Sequence, residues 1–78
     1  MRVTLHSTNK IVQLVTNDGE IAARIWEGQT ESGIPCHAFI TRIAVDKDDH
    51  AAEFQRELVE TRHPSPAVDA AYPLRMIL

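Results

Sequence analysis

The chain predicts an α+β fold: a small twisted antiparallel sheet of three to five strands with one main α-helix packed on one face. Three observations carry this. Apolar residues alternate with period two through most of the first 45 residues. The pattern then lengthens to helical spacing, with Ala51, Phe54, Leu58 and Thr61 on one stripe. Between the alternating runs at residues 11–16 and 21–27 lies Asn17-Asp18-Gly19, a strong hairpin-turn signal.

The densest strand signal is the run over residues 35–45, Pro-Cys-His-Ala-Phe-Ile-Thr-Arg-Ile-Ala-Val. His37, Phe39, Thr41, Ile43 and Val45 share one face. Cys36, Ala38, Ile40, Arg42 and Ala44 share the other. Both faces are largely apolar, so the run reads as a central strand. Pro35 lacks a backbone donor and belongs at its start.

Before it, residues 1–6 read as an edge strand or the first half of a longer bent one. Ser7-Thr8-Asn9 interrupts with turn-prone side chains. Residues 11–16 resume as a strand, and residues 21–27 answer it across the hairpin. Ile21, Ala23 and Ile25 lie on one face of that second strand; Ala22, Arg24 and Trp26 lie on the other. Residues 28–33, bounded by Gly28 and Gly33, read as a loop or wide turn, and residues 34–45 should pair beside residues 21–27.

After it, Asp46-Lys47-Asp48-Asp49 closes the strand and opens a helix over residues 49–62. Asp48 or Asp49 is expected as its cap. Glu53, Arg56, Glu57 and Glu60 should face water, with a weak pairing between Arg56 and Glu60. Pro64 stops the helix. Ser65-Pro66 reads as a second cap followed by one short turn. Residues 74–78, Leu-Arg-Met-Ile-Leu, are too apolar to hang in water and should join the sheet or pack beneath the helix.

Seventy-eight residues are expected to make one domain over residues 1–78, with a thin core. Hydrophobic residues make up 44% and charged residues 24%, a globular balance. A net charge of -3 argues against non-specific nucleic-acid binding and offers no polybasic attraction to an anionic membrane. No apolar run approaches the ~20 residues that cross a bilayer. The N-terminal stretch shows no secretion-signal pattern, and a single Cys36 permits no internal disulfide. A reducing cytoplasm is the expected location.

Chemistry-bearing residues are few. Cys36 and His37 offer a thiol and an imidazole, but neighbours on a strand point to opposite faces, so packing is the better reading. Asp46, Asp48 and Asp49 lack the glycine and distant glutamate of a calcium loop. His50 and Glu53 are one helical turn apart, and two ligands do not make a metal site. Glu53, Glu57 and Glu60 lie on a solvated face with no cleft to split their pKa values. Gly19, Gly28 and Gly33 have no phosphate-loop spacing. No catalytic, cofactor or metal residue is therefore assigned, and no cofactor is expected.

Arg24, Trp26, Ile40 and Arg42 stand apart. Register should bring them to one side of the sheet, where one helix cannot cover both faces. Trp and Arg are the residues enriched at contact hot spots. The expectation is a small non-enzymatic interaction protein that binds a protein partner or itself, as a homodimer, through that face. The alternative is a single-stranded nucleic-acid-binding module using Arg24, Trp26 and Arg42. A metal-dependent enzyme using His37 or His50 is the third reading.

Three segments carry a resemblance: Ala23-Arg24-Ile25-Trp26-Glu27-Gly28, then residues 37–45, then Pro73-Leu74-Arg75-Met76-Ile77-Leu78. The chain resembles a group of short bacterial and prophage-type proteins of unknown function. The resemblance implies an accessory protein that binds a host or phage macromolecule. It implies no catalytic residues.

Overall fold

The computed structural model describes residues 1–59 and 62–77. Its strands are β1 (Val3–Thr16), β2 (Gly19–Thr30), β3 (Pro35–Ile40) and β4 (Arg75–Ile77). They form one sheet in the order β3-β2-β1-β4. β1, β2 and β3 are antiparallel, and β4 lies parallel to β1. A 3-10 turn (Asp48–His50) leads into α1 (Ala51–Leu58), and α2 (Pro66–Ala71) precedes β4. The α+β class is as the sequence predicts, with α1 the main helix packed on one face.

The first strand is single and long. Its turn-prone residues form a bulge: Ser7 faces Trp26 and Ile11 faces Arg24, so residues 8–10 oppose Ile25 alone. Each bulge residue finds a partner. Thr8 is fully buried, and its hydroxyl donates to the Ile25 carbonyl at 2.7 Å. The Asn9 amide donates to the Arg62 carbonyl at 2.7 Å. Lys10 Nζ donates to the Asp69 carbonyl, the Asp69 carboxylate and the Tyr72 carbonyl at 2.8, 3.0 and 2.6 Å. The bulge is thus the dock for the C-terminal segment.

The second strand runs on through Gly28 to Thr30, where the sequence suggested a loop. The turn shrinks to residues 31–33. The Gly33 amide donates to the Thr30 carbonyl, the Thr30 amide donates to the Ile34 carbonyl, and Gly33 takes φ +87°. This is a three-residue hairpin turn closed by a glycine bulge. Gly28 itself lies so close to β1 that a Cβ there would collide with the Thr4 carbonyl.

The run expected as a central strand is instead an edge strand, and it ends at Ile40. Its doubly apolar pattern has a different cause, since each side of the sheet meets a helix. Val12, Leu14, Ala23 and Ile25 form the buried core with Val68 of α2; Phe39, Tyr72 and Met76 pack against it. The Tyr72 ring meets Phe39 edge-on at 5.0 Å. Ser65 caps α2 by accepting from the Val68 amide, with Pro66 first in the helix, as the sequence indicates. The C-terminal segment therefore seals this face. Met76 also lies here, while Leu74 and Ile77 are exposed at 70% and 86%.

The opposite face, carrying Ile11, Arg24 and Trp26, is the one expected to be left uncovered by the main helix. It is instead the face that α1 meets, because α2 and the C-terminal segment take the other. That helix ends at Leu58, short of the expected Arg62, because Val59 is already extended. Glu60, Thr61 and Leu78, with the roles expected of them, lie outside the described residues. Phe54 and Leu58 are half-buried, and α1 has no fully buried residue. Neither Asp48 nor Asp49 caps a helix through its side chain; Lys47 precedes the 3-10 turn and His50 precedes α1. Both carboxylates still lie in the first turn, where the helix dipole favours them.

Candidate interaction surface

Strand alternation puts Arg24 and Trp26 on the same side of β2. Register then sets Ile40 opposite Arg24 and Ala38 opposite Trp26. Arg42 follows β3 by two residues. α1 approaches from above with Phe54 and Leu58. Between them lies an open cleft of about 310 Å³ that takes in Arg24, Trp26, Ile40 and Arg42 together. All four residues singled out from the sequence share this one cleft.

The two guanidinium groups have different surroundings. Arg24 Nη1 donates to the Leu58 carbonyl at 2.6 Å. That carbonyl belongs to the last turn of α1, where backbone acceptors lack helical partners and a cation is favoured. Arg24 thus pins α1 to the sheet. Arg42 is exposed at the rim. Ile11 and Ile43, also lining the cleft, are exposed at 41% and 40%. The cleft therefore combines an apolar floor with a cationic lip.

Cys36 and His37 lie on opposite faces, as strand parity requires. Cys36 sits opposite Gly28 and is half-buried. His37 Nδ1 lies 3.1 Å from the Tyr72 hydroxyl, with the rings edge-on. His50 lies 4.0 Å from the Asp49 carboxylate, on the exposed 3-10 turn. Among the described residues, no group of three or more His, Cys, Asp or Glu is arranged to hold a metal. Glu53 and Glu57 are exposed on α1.

Glu27 is the residue that sequence reasoning missed. It lines a second cleft with Thr4, His6, His37, Arg62 and Ser65. Its carboxylate accepts from Arg62 Nη2 at 2.8 Å and from the Ser65 amide at 3.1 Å. Burial alone would raise its pKa; hydrogen bonds from Ser65 and the Arg62 cation outweigh that and hold it below the usual carboxylate value. Glu27 anchors the entry to α2. The available signal was parity: Glu27 stands two residues beyond Ile25 on the core face of β2.

No family model, curated protein or solved structure matches this chain.

Proposed function

We propose that this is a small non-enzymatic interaction protein whose contact surface is the cleft bounded by Arg24, Trp26, Ile40, Arg42 and α1. One observation carries the reading: these four residues converge on a single open cleft that the chain's own helix only partly roofs. The chemistry suits a protein ligand. An apolar floor accepts an aliphatic or aromatic side chain, and the exposed Arg42 can meet a carboxylate beside it. The prophage-type resemblance agrees in kind, since accessory proteins of that sort act by binding other macromolecules. The nucleic-acid alternative draws less support. Arg24 is committed to α1, Trp26 is half-buried, and the net charge is -3.

Sedimentation equilibrium over a wide concentration range tests self-contact, with Trp26→Ala and Arg42→Ala beside the parent chain. Concentration-dependent association weakened by both substitutions is expected. Anisotropy titration with single-stranded oligonucleotides at low salt is the opposing arm. Binding there that disappears on Arg24→Ala with Arg42→Ala would replace the protein-contact reading with a nucleic-acid one. Among the described residues, no helix is long and apolar enough to cross a membrane.

A further inference from the structure

Backbone bonding alternates along an edge strand, and the Thr30–Ile34 hydrogen bond sets the phase on β3. Cys36, Ala38 and Ile40 face their partners Gly28, Trp26 and Arg24 as hydrogen-bonded pairs. The backbone groups of His37 and Phe39 then point away from the sheet. Among the described residues they have no backbone partner. The edge also lacks ordinary protection. β3 has no charged residue and no bulge, and its only proline stands at its first position.

A second observation is independent of this one. Alternation continues past Ile40 through Thr41, Arg42, Ile43, Ala44 and Val45, yet none of these residues pairs with a strand of this chain. Strand-forming sequence thus outruns its partner. Those five residues are also self-complementary with β3. Antiparallel pairing about Thr41 sets Phe39 opposite Ile43, His37 opposite Val45, and Ile40 opposite Arg42 of a second copy. Aromatic and β-branched residues meet across strands, and no like charges face each other.

We propose that residues 35–45 pair antiparallel with the same residues of a second copy about a two-fold axis at Thr41, joining two sheets into one. This goes beyond the contact-surface reading, since the β3 edge carries it and not the cleft. Each copy's Arg42 then lies beside the other's Ile40, at the cleft rim. A two-fold edge contact closes on itself, because the same β3 edge serves both copies; at the far side of the sheet β4 pairs with β1 only at Gln13–Val15.

The test uses the full chain with Cys36→Ser, so that one introduced thiol reports alone. Thr41→Cys, placed on the axis, should oxidise to a disulfide-linked dimer, since directly opposed residues lie within disulfide reach. His37→Cys, displaced from the axis, should not. Amides of His37, Phe39 and Thr41 should gain hydrogen-exchange protection as concentration rises. Ile43→Lys and Thr41→Pro should each weaken dimerisation about tenfold or more. Neither removes a backbone bond within the chain. A dimer that shows neither the Thr41→Cys cross-link nor amide protection overturns the edge pairing and leaves the cleft reading standing. Association abolished by Trp26→Ala but unchanged by Ile43→Lys does the same. A monomer at every concentration also overturns it. Cross-linking and protection that persist when Trp26→Ala and Arg42→Ala leave association unchanged uphold the edge and remove the cleft.

Discussion

The two sides of the sheet are built from the same strands and closed in different ways. On one side, α2 is only six residues long, yet Val68 is buried to 3% exposure over Ile25, Val12 and Ala23. On the other, α1 is longer and amphipathic in sequence, yet it buries no residue fully. The difference lies in the anchors. The short helix is held by Ser65 at its start, Lys10 at its end and Glu27 beneath its entry. Among the described residues, the hydrogen bond from Arg24 to Leu58 is the one tying α1 to the sheet. Here helix length does not decide how well a face is sealed: the shorter helix has more of its end groups and flanking residues tied to the sheet.

Substitutions on the two sides should separate this contrast. The largest effect is expected from Ile25→Ala, which opens the sealed side. Chemical denaturation should show a loss of about 2 to 5 kcal/mol. A loss below about 1 kcal/mol would mean that this side is no better packed than the other. Gly28→Ala should cost about 1 to 3 kcal/mol, because the obstacle is the Thr4 backbone and cannot move aside as a side chain would. It also sharpens the comparison, since strain there separates β1 from β2 beside the Glu27 anchor.

Phe54→Ala and Leu58→Ala on the open side should cost only about 1 kcal/mol each, a fraction of full side-chain burial. Equal losses for Phe54→Ala and Ile25→Ala would break the distinction between the two sides. The smallest effect is a pH dependence. Glu27 has a lowered pKa when folded, so its contribution is complete above its unfolded value near 4.5 and fades as pH falls through the lower folded value. Glu27→Gln should therefore flatten the acid limb of the stability profile and leave its neutral-to-alkaline shape unchanged. An acid limb identical to the parent's would remove Glu27 as the anchor of α2.

Much of the candidate surface was legible because parity is local. Arg24 and Trp26 are two residues apart on a strand, so they share a side in any sheet that contains them. Ile40 obeys the same rule on β3, and the tight turn at residues 31–33 sets the register that brings it opposite Arg24; Arg42 lies two residues beyond the strand, so parity does not fix its place. Glu27 was not legible as an anchor. Its meaning depends on Ser65 and Arg62, which lie 38 and 35 residues away along the chain.

Local pattern was enough for the element types, the hairpin at Asn17-Asp18, the Ser65-Pro66 cap and the grouping of residues on strand faces. These follow from periodicity and from backbone preferences that act over a few residues. Long-range pairing was needed to make residues 35–40 an edge and to turn a turn-prone triplet into a bulge with Thr8 buried. The bulge shows why. Whether Thr8 turns inward or ends a strand depends on whether the Ile25 carbonyl stands ready to receive its hydroxyl. Whether Asn9 and Lys10 stay in a loop depends on a C-terminal segment that arrives more than fifty residues later to take their donors.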